Sequence, residues 1–183
     1  MPSKENTTKF LNSIAIIGHG YVGQAMEKLL ETHYNLVIYD PKYKEEEKNQ
    51  YGFNKKKVNE CYLAVVCVPT PMAKDGTADL SLIKNTVKWL KTPLILIKST
   101  VPPGTTNQLQ KETKKRIVFS PEYIGEGKYY VSDRYPHPTD IIKHKFMIVG
   151  GHSKDRKEII NIFQKILGPE KIYAQTDSTT AEL

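Results

Sequence analysis

The sequence is poor in cysteine and tryptophan, with Cys61, Cys67 and one tryptophan among 183 residues. Two thiols cannot make the dense disulfide framework of a small secreted domain, so both read as buried free thiols in a reducing cytosol. No apolar run approaches the ~18 residues that cross a bilayer. The opening Met1-Pro2-Ser3-Lys4-Glu5-Asn6 has no apolar signal core. A cytoplasmic protein with no membrane partner is expected. Repeats, zinc-finger spacings and RNA-binding aromatic signatures are missing too, and no metal-ligand cluster is legible. Acids are the minority charge, 20 against 27 Lys and Arg, for a net charge of +7. Such a surplus suits nucleic acid or phosphate-bearing ligands. It is scattered, however, and mixed with glutamates between Lys42 and Lys48. Only Lys55-Lys56-Lys57 and Lys114-Lys115-Arg116 are unbroken, and both read as solvated surface. Nucleic acid is therefore not an expected partner. The length allows one domain with a full core and leaves no room for an enzyme needing two complete domains.

What is present is an alternation of short apolar runs and amphipathic stretches. Residues 1–12 are polar and read as a flexible N-terminus. Ile14 to Ile17 is a β-branched strand ending at glycine. From Tyr21 to about Glu31, Val22, Ala25, Met26, Leu29 and Leu30 share a helical face, and Leu36 to Tyr39 is the next strand. The polar stretch 41–60 predicts at most a short helix and a stub of strand near Tyr51. Further strands are expected at Leu63–Val68, Leu94–Ile97, Ile117–Phe119, Phe146–Val149 and Lys171–Ala174. Helices are expected after Asp79 or Ser81, from Gly104 to about Lys114, and from Ser153 to Leu167. Residues 120–144 read as a long functional loop. The alternation predicts a single α/β domain: a Rossmann-type, doubly wound, mainly parallel sheet with a shortened region after the second strand.

Gly18-His19-Gly20-Tyr21-Val22-Gly23 fits G-x-G-x-x-G, between an apolar strand and an amphipathic helix. Gly18 allows the tight turn, Gly20 the approach of a pyrophosphate, and Gly23 close helix–strand packing. The helix N-terminus offers N–H groups and partial positive charge to phosphates. Asp40, ending the next strand, is placed for an adenine-ribose diol and would repel a 2′-phosphate, so NAD is expected over NADP. Lys42 and Lys44 pull slightly the other way. His19 reads as a spacer without chemistry.

Three more segments follow apolar strands, where a doubly wound sheet presents its ligand face: Val68-Pro69-Thr70-Pro71, Lys98-Ser99-Thr100-Val101-Pro102-Pro103-Gly104-Thr105, and Ser120-Pro121-Glu122-Tyr123-Ile124-Gly125-Glu126-Gly127. With the glycine turn, Asp40, Asp75-Gly76, Asp79-Leu80-Ser81 and Ile148-Val149-Gly150-Gly151, their order and spacing resemble the N-terminal domain of the UDP-glucose/GDP-mannose 6-dehydrogenases. The resemblance covers about residues 13–183. It implies a Rossmann domain over 13–176 and, over 177–183, the start of a helix that joins two domains and builds a dimer interface.

The resemblance further implies NAD-dependent oxidation of the C6 alcohol of a UDP- or GDP-sugar to a carboxylate, through a thioester on a cysteine. By this likeness, Gly18, Gly20, Tyr21, Val22, Gly23, Asp40, Pro69, Thr70, Thr100 and Glu126 are the cofactor-binding residues. Glu122 (proton transfer or thioester hydrolysis) and Thr100 (holding a water) are the catalytic ones. Glu122, Tyr123, Ile124, Gly125 and Glu126 touch the nucleotide sugar. Gly125 stands where the family carries a basic or larger residue. The family's nucleophilic cysteine, lysine and asparagine lie in later segments that the 183 residues do not include, and Cys61 and Cys67 do not match the cysteine's motif. The implied partners are a nucleotide sugar and either a second copy or a chain carrying the remaining half. The competing reading is a non-catalytic dinucleotide or nucleotide-sugar binding module acting with another chain.

Overall fold

The computed structural model describes residues 10–43, 51–123, 141–142 and 144–183. One mixed sheet runs through it: β1 (Ser13–Ile17), β2 (Asn35–Tyr39), β3 (Tyr51–Gly52), β4 (Leu63–Val66), β5 (Leu94–Ile97), β6 (Ile117–Phe119), β7 (Phe146–Gly150) and β8 (Ile172–Thr176). The helices are α1 (Tyr21–Leu30), α2 (Lys55–Asn59), α3 (Ser81–Trp89), α4 (Thr105–Thr113), α5 (Ser153–Leu167) and α6 (Ser178–Ala181). Strand order is β3-β2-β1-β4-β5-β6-β7-β8. The first six strands are parallel, in the order of a Rossmann fold. β7 pairs antiparallel with β6 through Phe119 and Gly150, and β8 runs parallel to β7.

Successive strand residues face opposite sides, and both sides are buried. Ile14, Ile16, Leu63, Val65, Leu94, Leu96 and Val118 pack with Met26, Leu29 and Leu30 of α1 and Ile159, Ile160 and Phe163 of α5. Ala15, Ile17, Ala64, Val66, Ile95, Ile97, Ile117 and Phe119 pack with Val58 of α2, Ile83 and Val87 of α3 and Leu109 of α4. That two-sided burial is why these strands read as continuous apolar runs rather than alternating ones.

The shortened region survives as one turn of helix and a stub of strand. β3 adds two residues beside β2, and Asn54 caps α2 by accepting from the N–H groups of Lys56 and Lys57. Phe10 lies edge-on against Tyr62, with ring centroids 5.7 Å apart. Leu82 faces outward on α3, and β4 stops at Val66, so Cys67 follows the strand instead of lying inside it. At the other end, α6 is capped by the Asp177 carboxylate, which accepts from Thr180 N–H at 3.0 Å. Glu182 reaches across to the start of α4: Oε2 accepts from Gly104 N–H at 2.6 Å and Oε1 from Thr106 N–H at 2.8 Å. A carboxylate there satisfies two otherwise orphaned donors and meets the positive end of the helix. Among the described residues no helix is long and apolar enough to cross a membrane.

Candidate functional site

The strand order reverses between β1 and β4, and a cleft opens there at the carboxyl ends of the strands, where α/β sheets bind ligands. It holds about 800 Å³ and is lined by the glycine turn, Asp40, Lys42, Cys67 to Pro71, Lys98 to Thr100 and Glu122.

The glycine turn is jammed between β4 and α1. Gly18 has φ +87°, and a Cβ there would lie 2.7 Å from the Cys67 carbonyl oxygen. A Cβ on Gly23 would sit 2.1 Å from the Gly18 carbonyl oxygen. Gly23 is buried and does not line the cleft; its missing Cβ permits the close packing of the turn. Gly20 is the reverse, since a Cβ there would meet no heavy atom within 4 Å. Gly20 is also the N-cap of α1, no side chain caps the helix, and its first turn carries no acid. Exposed N–H groups with open space above them suit the two negative charges of a pyrophosphate. Tyr21 (exposed) and Val22 (half-buried) form the rim of that space.

Asp40 ends β2 beside the turn. Its Oδ2 accepts from His19 N–H at 2.7 Å and its Oδ1 from Lys42 N–H at 2.9 Å. The carboxylate is thereby held in place while each oxygen keeps a second lone pair for a ribose hydroxyl. Uncapped amides, room above Gly20 and a fixed carboxylate make a donor and acceptor set that fits a dinucleotide with a free 2′-hydroxyl.

The opposite wall is built from two cross-tied loops. Ser99 Oγ donates to the Val68 carbonyl at 2.7 Å, and Thr70 Oγ1 donates to the Thr100 carbonyl at 2.7 Å. Thr100 therefore stands beside Thr70 and exposed to the cleft, while Pro69 is exposed on the rim. At the floor, Lys98 Nζ lies 2.9 Å from Glu122 Oε2, with both side chains almost fully buried. The ammonium also donates to Ser120 Oγ at 3.2 Å and to the Pro121 carbonyl at 3.3 Å. Glu122 Oε1 accepts from Tyr123 N–H at 3.1 Å. Glu122 thus lines the cleft, held by a lysine that the sequence reading did not single out. The only sequence signal is a lysine directly after a fully apolar strand; the fold buries it, and a buried lysine needs an acid. Tyr123 is half exposed, edge-on to Phe146 at 5.5 Å, outside the cleft lining. Lys44, Ile124, Gly125 and Glu126 lie outside the described residues.

Neither cysteine is a nucleophile in waiting. Burial pushes the Cys61 thiol up to about 11. Burial also pushes Cys67 up to about 12, with Glu122 adding to it and Lys98 opposing. At pH 8 both should alkylate with iodoacetamide on the order of a hundred to a thousand times more slowly than free cysteine, because only the thiolate reacts. Timed labelling read by mass spectrometry of the native protein checks this, with urea-unfolded chain as the fast control.

His19 corrects the sequence reading. Far from being a spacer, it is 5% exposed and bonded through both ring nitrogens, to Tyr43 and Glu27. Its partners sit elsewhere in the chain, so no local pattern announced them.

Comparison with known proteins gives these features a lineage. The model of the UDP-glucose/GDP-mannose dehydrogenase family, NAD binding domain, matches residues 40–167. The chain is 28% identical over 207 residues to the UDP-N-acetyl-D-mannosamine dehydrogenase of Methanococcus maripaludis, covering 94% of this chain and 46% of that protein. It is 29% identical over 153 residues to the UDP-glucose 6-dehydrogenase of Streptococcus pneumoniae, covering 67% and 39%. The solved UDP-glucose dehydrogenase of Pyrobaculum islandicum superposes with a TM-score of 0.73 at 19% identity, over 100% of this chain and 49% of that one. The chain spans about half the length of the curated relatives it matches. With sheet order, glycine turn and family model in agreement, the chain belongs to the UDP-glucose/GDP-mannose dehydrogenase family and carries its NAD-binding domain.

Proposed function

We propose that this domain seats NAD for the oxidation of a nucleotide sugar at its C6 alcohol, within a protein or complex that supplies the remaining half of the active site. The observation that carries the reading is the uncapped turn at Gly20, set beside Asp40 in a cleft that the buried Lys98–Glu122 pair also lines. In this arrangement the amides at the start of α1 bind the pyrophosphate, and Asp40 accepts from the adenine-ribose hydroxyls. Thr70 and Thr100 then flank the nicotinamide end. Bound there, NAD supplies a two-electron hydride acceptor. Glu122, buried beside Lys98 and reaching the cleft, is the carboxylate placed to move a proton at the reacting end. Tyr123 and the residues after it, Ile124, Gly125 and Glu126, are assigned to the sugar side. Residues 13–176 form the cofactor domain and 177–183 the start of the connecting helix, with a second copy as partner. Two free thiols suit a cytoplasmic setting.

Because both thiols are protonated at neutral pH, a thioester step needs a thiolate from outside these residues. That favours keeping the second reading, a binding module that works with another chain. Calorimetric titration tests the cofactor site. NAD+ should bind with a 1:1 end point and NADP+ at least about tenfold more weakly, and Asp40→Asn should narrow that gap. Tighter NADP+ binding, or no binding of NAD+, overturns the assignment. Adding UDP-glucose or GDP-mannose with NAD+ should give no NADH from this chain alone. Turnover restored by a separate chain bearing the thiolate would favour the module.

A further inference from the structure

The residue between the first two glycines of the turn has four polar groups, and every one is engaged. His19 N–H donates to Asp40 Oδ2 at 2.7 Å, and its carbonyl accepts from Lys42 Nζ at 2.5 Å and from Gln24 Nε2 at 3.3 Å. Ring Nδ1 lies 2.6 Å from Tyr43 Oη, and Nε2 lies 2.7 Å from Glu27 Oε2. Glu27 Oε1 accepts from Tyr51 Oη at 2.5 Å. The rings of His19, Tyr43 and Tyr51 stand 5.2 to 5.7 Å apart, centroid to centroid. Glu27 comes from α1, Tyr51 from β3, and Asp40, Lys42 and Tyr43 from the segment that leaves β2. One imidazole therefore ties together the three pieces of chain around the adenosine end of the cleft. Both ring nitrogens therefore have a polar partner, one a carboxylate and the other a hydroxyl that can either donate or accept.

We propose that His19 is a positioning residue for Asp40: its side chain, through Tyr43 and Glu27, fixes the glycine turn against the end of β2 and thereby sets affinity for the adenosine half of NAD and the discrimination against NADP. The proposal rests on the reading of Asp40 as the ribose acceptor. Its physical content is that the His19 N–H holds one oxygen of Asp40, and the ring adds the side-chain tie to Tyr43 and Glu27 that fixes His19 against the end of β2. Without the ring the His19 N–H is less firmly placed and Asp40 leans on the Lys42 N–H alone, weakening its bonds to the 2′- and 3′-hydroxyls and easing its repulsion of a 2′-phosphate. A merely structural histidine would stabilise the fold but treat both cofactors alike.

The test is calorimetric titration of wild type, His19→Ala and Tyr43→Phe with NAD+, NADP+ and ADP-ribose, well below each melting temperature. His19→Ala should weaken NAD+ about tenfold or more, the worth of a hydrogen bond to a charged group. ADP-ribose should lose the same factor, since it keeps the whole adenosine half and lacks only the nicotinamide, and NADP+ should lose less, so the preference falls. Tyr43→Phe removes a single oxygen and should move the preference in the same direction, by less. If both variants bind NAD+ within about twofold of wild type, or lose NAD+ and NADP+ by equal factors, the proposal fails. Should His19→Ala not fold, Tyr43→Phe decides by the same criteria. Wild type failing to bind NAD+ would instead overturn the cofactor site, and this proposal with it.

Discussion

Gly23→Ala should abolish measurable NAD binding and destabilise the domain by about 3 kcal/mol or more, at or above the usual cost of overpacking. The new methyl carbon would lie 2.1 Å from the Gly18 carbonyl oxygen and 3.0 Å from the Gly18 carbonyl carbon. Both are backbone atoms, so no rotamer change relieves the clash. Gly18 cannot retreat either, because it sits at φ +87° against the Cys67 carbonyl. The strain must open the β1–α1 turn, which is also the proposed pyrophosphate site. Gly20→Ala is the informative contrast. Its methyl meets nothing within the protein, so stability should change by less than about 1 kcal/mol. The methyl nevertheless occupies the space above the α1 amides, and NAD affinity should fall about tenfold or more. Thermal melts paired with NAD+ titration of the two variants separate a glycine needed for the fold from one needed for the ligand.

Lys98→Met should cost about 3–5 kcal/mol, the price of leaving a buried carboxylate without its counter-charge. Lys98 and Glu122 are 4% and 6% exposed, and the ammonium carries two further hydrogen bonds, to Ser120 and Pro121. Removing the lysine strands all three acceptors. Removing both charges, in Lys98→Met with Glu122→Leu, should recover most of the loss, because two apolar side chains can fill the same space without desolvated charge. Urea denaturation of the two single variants and the double variant measures the coupling, which should exceed about 2 kcal/mol for such a contact pair. Additive losses would mean that the two side chains do not act as a pair.

The parts of this fold that the sequence announced are those written in neighbouring residues. Ser153–Leu167 was legible to the residue because its apolar period runs unbroken from Ile159 to Leu167 and stops at Gly168-Pro169. β5 was legible because four apolar residues stand between turn signals. The glycine turn and Asp40 were legible because strand, turn, helix and strand follow one another within a single βαβ unit. Strand direction is different in kind. Nothing within Phe146–Gly150 says that it runs against β6, since direction depends on the route of the intervening chain. The site divides the same way. Thr70, Thr100 and Glu122 stood in recognisable loops. His19 and Lys98 owe their roles to partners 8 to 24 residues away, and those contacts exist only once the sheet has assembled. A buried charge with a distant partner leaves only a composition clue, a polar residue where burial is expected.

The Glu182 cap on α4 also has a consequence in time. The carboxylate is separated from the amides it binds by 78 and 76 residues. On a ribosome adding roughly 5–20 residues per second, α4 and its flanking strands emerge about 4–15 s before the acid that completes the first turn of the helix. During that interval the Gly104 and Thr106 amides are served by water, and the Ser99–Gly104 segment has no anchor from the far end of the chain. The Ser99–Gly104 segment is thus fastened in two stages, first at its start to Val68 and Thr70 and only later at its α4 end by Glu182.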